Sequence, residues 1–400
     1  MKKIFVLLLF LTVIIGVSAV SAAENMTVSD DCLEMSNVDD MVVSSDVAAE
    51  SNLDLSSIPK DSLKSNEGAS KSGNSIQVPA KASAKNVKST YGNPVKYNLK
   101  VLDKSNNPVA GKIVTFKIGK KEYKVTTDSN GIATLNLDYS AGKYTIHYSV
   151  DGLTGKNTYT VKNKISMTIL KWGNKGDVSK IKLIKKNMPN NKWVKLAVKA
   201  TKKGNPLLTI QGGKGKKVFI TAGVHGNELS SQVAVMKLIA HLSKTPIKGT
   251  VYIIPFVNIK AISHKVRHTG TDYNRVAHKS GTISNKIVKL VAKLGCDAYG
   301  DFHTTQPGGV PGQNIVMGSG SPAKNCKAMT NYIAKHAKVH KRLYKYAGQE
   351  YPGALADNVN KKGIPGVICE VVLPHNTVTS SSVKISYRMM TSLLKFNNVI

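Results

Sequence analysis

The chain has 400 residues, 57 Lys+Arg against 24 Asp+Glu, and 41% hydrophobic residues. That is enough apolar content for packed cores and too long for one small domain, so wholesale disorder and a single-module fold are both excluded. A net charge of +33 invites a nucleic-acid reading. The charge, however, is nearly all lysine, with arginine only at Arg267, Arg275, Arg342 and Arg388 and little aromatic interleaving. Such a surface reads bases and phosphates poorly, so no nucleic-acid partner is expected.

Lys2-Lys3, an apolar run from Ile4 to Val17 and the small residues Ser18 to Ala23 have the order of a secretory signal peptide, assigned to residues 1–22. The run is short for a span of about 20 residues, and no later stretch is long and apolar enough. The expectation is an exported protein at the cell surface or wall, with no transmembrane anchor after cleavage. Residues 23–85 are rich in Ser, Asp and Asn and lack periodicity, and residues 24–59 hold nine acids and no Lys or Arg. They read as a flexible linker or propeptide. Four cysteines (Cys32, Cys296, Cys326, Cys369), none in C-x-x-C spacing, are too few for a disulfide framework.

Short β-like runs follow at Val95–Leu102, Ile113–Ile118, Glu122–Thr127, Ile132–Leu137 and Tyr144–Val150, separated by turns such as Asp128-Ser129-Asn130-Gly131. Tyr144, Ile146, Tyr148 and Val150 alternate with polar residues, as in a half-buried antiparallel strand. Residues 86–163 are therefore expected to form an all-β, Ig-like sandwich. Thr90-Tyr91-Gly92, Thr127 to Leu135 and Ala141-Gly142-Lys143-Tyr144-Thr145 resemble the Ig-like repeats of bacterial and methanogen surface adhesins, which implies spacing or wall contact.

From 164 to 400 strands alternate with helices: strands at Val218–Ala222, Val251–Phe256, Ala298–His303 and Gly366–Val372, and helices at Leu229–Leu242, Ile283–Leu294 and Ala323–Val339. This predicts an α/β domain with a mixed central sheet, its active residues at strand carboxyl ends.

Four clusters carry chemistry. In Gly223-Val224-His225-Gly226-Asn227-Glu228, between a strand and a helix, His225 and Glu228 can reach one metal ion. In Asp301-Phe302-His303 the first and third residues share a strand face, so Asp301 can back His303 as a metal ligand. Arg267, Asn274 and Arg275 place half of the arginines within nine residues, where lysine would serve if only charge were needed. Bidentate recognition of a carboxylate or oxyanion explains that choice. Glu370 is an acid inside the apolar strand Val367 to Val372, costly unless paired, ligated or catalytic.

His225, Glu228 and His303 make the donor set of one catalytic Zn2+ with a fourth position for water. Glu370 would act as general base, Arg267 would stabilise the oxyanion, and Asn274 and Arg275 would hold a substrate carboxylate. His264, His268 and His278 are read as solvated loop residues. His336 and His340 are read as i, i+4 on the wet face of a helix.

The pieces TAGVHGNE, RHTGTDYNR, DFH and ICE, in that order within 205–375, resemble the succinylglutamate desuccinylase/aspartoacylase branch of the M14-like zinc carboxypeptidase superfamily. The resemblance implies the same roles for His225, Glu228, His303, Arg267, Asn274, Arg275 and Glu370. It also implies a tyrosine over the substrate, for which Tyr344, Tyr346 and Tyr351 are all available. A zinc hydrolase of amide bonds next to a free carboxylate is expected, acting on peptides or acyl-amino acids. Export and the adhesin-like module favour a metallocarboxypeptidase trimming cell-wall peptides, including those of archaeal pseudomurein, with the lysines touching an anionic wall polymer. The alternatives are an N-acyl-amino-acid deacylase and an adhesin-like binding protein.

Overall fold

The computed structural model describes residues 33–35 and 77–400; the signal segment, most of the acidic tract and Cys32 lie outside the described residues. Among the described residues no helix is long and apolar enough to cross a membrane.

Two sheets enclose the first core. One holds β2 (Lys81–Ser83), β4 (Val95–Leu102) and β7 (Ile132–Leu137); the other holds β3 (Val87–Thr90), β9 (Leu153–Lys162), β8 (Gly142–Val150), β5 (Ile113–Ile118) and β6 (Lys121–Thr126). Alternation sends Tyr97, Leu99 and Val101 of β4 and Val114, Phe116 and Ile118 of β5 into a common apolar interior. Tyr97 packs edge-on to Phe116 at 5.6 Å between ring centroids. Strand β2 pairs with β4 and precedes residue 86, where the sequence alone suggests the sandwich begins. Strand β9 was not expected, because Lys, Asn and Thr occupy much of it.

A nine-stranded mixed sheet follows, in the order β1 (Leu33–Met35), β10 (Lys164–Leu170), β11 (Asn205–Gln211), β13 (Thr250–Ile254), β12 (Lys217–Ala222), β14 (Ala298–Thr305), β17 (Gly366–Val372), β15 (Ile315–Ser319), β16 (His340–Tyr344). Strands β13, β12, β14 and β17 run parallel, while β11 and β15 oppose their inner neighbours. The helices are α1 (Lys182–Asn187), α2 (Lys192–Ala200), α3 (Leu229–Leu242), α4 (Ile259–His264), α5 (Ile283–Lys293), α6 (Cys326–Ala337), α7 (Leu355–Asn360) and α8 (Ser380–Phe396).

They cover both faces. On β14, Tyr299 joins the core formed with α5 and α7, whereas the neighbouring Gly300 lies against Leu393 of α8. A Cβ at Gly300 would come within 2.6 Å of that leucine. Helix α8 escapes sequence reading because Ser382, Ser386 and Ser392 interrupt its buried stripe. A capping box between Thr379 and Ser382 starts it. Helix α6 stops at Ala337 and His340 opens β16, so His336 and His340 do not share a helix; both are exposed. Cys296, Cys326 and Cys369 are buried free thiols.

The turn between β12 and α3 depends on two glycines. Gly223 adopts φ 73°, open to glycine at little cost. Gly226 lies so close to the Ala261–Ile262 backbone that a Cβ would sit 2.2 Å from Ala261 C. Its N–H donates to Arg267 O at 3.0 Å, tying this turn to the segment after α4. Gly226→Ala should therefore cost about 3 kcal/mol by overpacking. Chemical denaturation would read it as a lowered midpoint at unchanged slope; an unchanged midpoint would show that this contact is not needed.

Candidate active site

His225 lies on the tight turn after β12, Glu228 is the N-cap residue of α3, and His303 lies near the carboxyl end of β14. These ends are adjacent because β12 and β14 pair in parallel. The three side chains are buried and bring one ligand atom each within 4.8 Å of one another. Glu228 Oε1 is 2.6 Å from His225 Nδ1, and Oε2 is 2.9 Å from His303 Nδ1. The Thr304 N–H donates to the same Oε2 at 3.0 Å.

Each imidazole is backed by a second carboxylate. His225 Nε2 is 3.1 Å from Asp272 Oδ1. His303 Nε2 is 2.9 Å from Asp301 Oδ2, an ion-pair distance, though off the line of a hydrogen bond. Thr221 donates to the other Asp301 oxygen at 2.7 Å. This fits a metal well: two imidazole nitrogens and a carboxylate converge, and carboxylates behind the rings set their orientation.

The charges agree with the distances. Burial pushes the Glu228 carboxyl up, but the two imidazoles outweigh it and hold the group well below the usual range. Burial pushes His225 and His303 down, and their carboxylate partners outweigh it, so both are raised, His303 strongly. Asp272 is lowered: burial is overcome by His225 and Arg267.

Glu370 is directly opposite His303 in the β14–β17 ladder. Its Oε2 is buried without a hydrogen-bond partner. Burial, aided by the Glu228 carboxylate and opposed by the two histidines, raises its carboxyl to about 8. Arg267 Nε lies 3.2 Å from Asp272 Oδ2, and Nη1 lies 3.7 Å from Glu228 Oε1. Asn274 is buried and its Oδ1 accepts the Leu355 N–H at 3.0 Å, so only its amide NH2 remains to offer a ligand. Arg275 is exposed, donates to Asn274 O and lies 5.3 Å over the Tyr351 ring.

His225, Glu228, Arg267, Asn274, Arg275 and Glu370 all line one cavity of about 440 Å³. His303 and Asp301 lie beneath it, fully buried. Of the three candidate tyrosines Tyr351 lines the cavity, whereas Tyr344 turns its hydroxyl to Met317 and Tyr346 is exposed. His264, His268 and His278 are exposed.

Sequence reading missed His375, five residues after Glu370. Its Nδ1 accepts from the Asn227 and Gln306 amides at 3.0 and 2.7 Å, and its Nε2 donates to Thr304 O at 3.1 Å. No spacing rule flags a lone histidine after a strand. Asp272 did leave a signal, as the only acid between 229 and 296.

Residues 214–308 match the Succinylglutamate desuccinylase/Aspartoacylase catalytic domain. The resemblance drawn from the first three motifs is borne out over that span. The matched span of this desuccinylase/aspartoacylase domain includes His225, Glu228, Arg267, Asn274, Arg275, Asp301 and His303 and ends before Glu370.

Similar solved structures include the product-bound ectoine utilization protein EutE (DoeB) from Ruegeria pomeroyi, at 19% identity and TM-score 0.41, covering 50% of this chain and 64% of that one. A succinylglutamate desuccinylase/aspartoacylase from Rhodobacter sphaeroides has 22% identity and TM-score 0.40, with 49% and 60% covered. The product-bound cell shape determinant protein Csd4 from Helicobacter pylori has 20% identity and TM-score 0.40, with 46% and 52% covered. The chain thus spans less than two thirds of the length of each of these three. No curated protein matches the sequence.

Because the surrounding carboxylates favour the protonated forms of both imidazoles, a cation entering this site competes with protons. Zinc affinity should therefore rise with pH above the ordinary histidine value of 6.5 and fall below it. Calorimetry in buffers of different ionisation heat should record proton release on binding; a pH-independent affinity between about 6 and 8 would contradict the ligand set.

Proposed function

We propose that this protein is an exported zinc-dependent hydrolase that cleaves an amide bond next to a free carboxylate. The observation that carries the proposal is one cavity lined by His225, Glu228, Glu370 with its unpartnered Oε2, and Arg275 without a carboxylate partner, with His303 held against Glu228 just behind the wall. In that reading His225, Glu228 and His303 hold one zinc ion, and Asp272 and Asp301 orient the two histidines. The bound ion would supply Lewis acidity and a water of lowered pKa, near ~7.

The chain's own residues supply the rest. Glu370, kept basic by its desolvated setting, accepts the water proton at its carboxylate and returns it to the leaving amine. Arg267, steered by Asp272 toward the ligand set, stabilises the developing oxyanion. Arg275, braced on Tyr351, binds the substrate carboxylate together with the Asn274 amide, and so fixes the amide in reach of Glu370.

The wider reading is a carboxypeptidase trimming cell-wall peptides. It is supported by the signal-like leader, by the two-sheet module read as Ig-like and by the excess of lysine available to an anionic wall polymer. Deacylation of small N-acyl-amino acids is the second reading, favoured by the family that matches residues 214–308. Digestion of a peptide library and of an acyl-amino-acid set, each with and without chelator, separates them. Release from wall-type peptides supports the first; turnover confined to acyl-amino acids supports the second and overturns the first.

Glu370→Gln should keep its zinc content and lose about 10²–10⁴-fold in kcat. Retained turnover in that variant would remove Glu370 from the role of base.

A further inference from the structure

The wall between Arg275 and Glu370 differs chemically from the rest of this lysine-rich protein. No lysine lines the cavity; its permanent cations are Arg267 and Arg275. Arg267 is already engaged with Asp272 and Glu228. That leaves Arg275 as the one arginine of the cavity available to a substrate carboxylate.

A continuous line of contacts runs from Arg275 to Glu370. Arg275 lies over Tyr351, and Tyr351 meets Tyr344 edge-on at 6.4 Å between centroids and 87° between planes. The Tyr344 hydroxyl donates to Met317 Sδ at 3.6 Å. Met317 on β15 lies directly opposite Ile368 on β17. Ile368 is two residues before Glu370 and projects to the same side of the sheet. Met317, Ile368 and Tyr351 line the cavity together with Arg275 and Glu370. The path from a carboxylate held at Arg275 to an amide held at Glu370 is therefore bounded by a thioether, a branched alkyl group and an aromatic ring.

From this we infer that the amino acid released by the enzyme carries a neutral, apolar side chain, received by Met317, Ile368 and Tyr351. The inference rests on the hydrolase reading above and specifies its substrate class. An aspartate or glutamate in that place brings two carboxylates. One pairs with Arg275, and the other is desolvated against Met317 and Ile368 with no cation left for it. A lysine or arginine fares no better. The cavity's carboxylates are Glu228, engaged by both histidines, and Glu370, needed as the base. An apolar side chain loses nothing polar and exchanges water for packed side chains.

The test uses the full zinc-loaded protein and two series of compounds, peptides and N-acetyl amino acids. Each series ends in Ala, Leu, Phe, Glu or Lys and is otherwise identical, with the released amino acid quantified by mass spectrometry. The expected result, in whichever series turns over, is a kcat/KM for Ala, Leu or Phe at least roughly 100-fold above that for Glu and Lys. Met317→Arg, which adds a cation to the wall, should raise Glu relative to Leu by roughly tenfold or more. Glu or Lys released as fast as the apolar residues by the unmodified protein overturns the inference and leaves the hydrolase reading standing. No zinc-dependent release from either series overturns the hydrolase reading itself. The series on the unmodified protein decides the matter even if Met317→Arg does not fold.

Discussion

The site is organised around one buried charge. Glu228 sits at the entrance to α3 and beside the end of β14, and its two oxygens are divided between His225 and His303, with the Thr304 N–H as a further donor. A carboxylate so placed is costly unless each lone pair has a partner. Those partners are the side chains that would bind a cation. The same demand extends outward, since each imidazole, once held by Glu228, turns its other nitrogen to Asp272 or Asp301. Five ionisable groups thus fix one another, and none could be repositioned alone.

The sheet makes this arrangement affordable in geometric terms. Parallel pairing of β12, β14 and β17 brings three carboxyl-end segments side by side, which is where α/β sheets place their chemistry. Glu370 needs no loop to reach the site, because the ladder sets it opposite His303. The arginines arrive differently, on the irregular segment after α4. That segment is tied down by the Gly226–Arg267 backbone bond and by Asp272, which caps the short turn at Asn274 while reaching both His225 and Arg267. Asp272 therefore couples the arginine segment to the ligand set.

The core strands and α3 were legible because continuous apolar runs and 3.6-residue spacing are local signals, and Leu229–Leu242 was read with its observed bounds. Strands at the rim of the sheet and α8 were not, because their burial depends on neighbours far away in sequence. In α8, Ser386 is fully buried although nothing in its local pattern says so. His336 and His340 show the limit of spacing arguments: four residues apart, they fall on a helix and on a strand because the chain turns between them at Lys338, with φ 54°.

The sequence by itself determined which side chains could do the chemistry. Against 57 Lys+Arg and few acids, Arg267, Arg275, Glu228 and Glu370 stood out because residue type carries donor geometry and charge, which do not depend on the fold. Tertiary structure decided everything that is a distance. It chose Tyr351 over Tyr344 and Tyr346, gave Asp272 its two partners, brought His375 to the cavity wall, and placed Met317 opposite Ile368 between Arg275 and Glu370. Apart from Asp272 and Arg267, which are close in sequence, these relations join residues tens to more than a hundred positions apart, and only strand pairing and packing, not local pattern, brings such residues together.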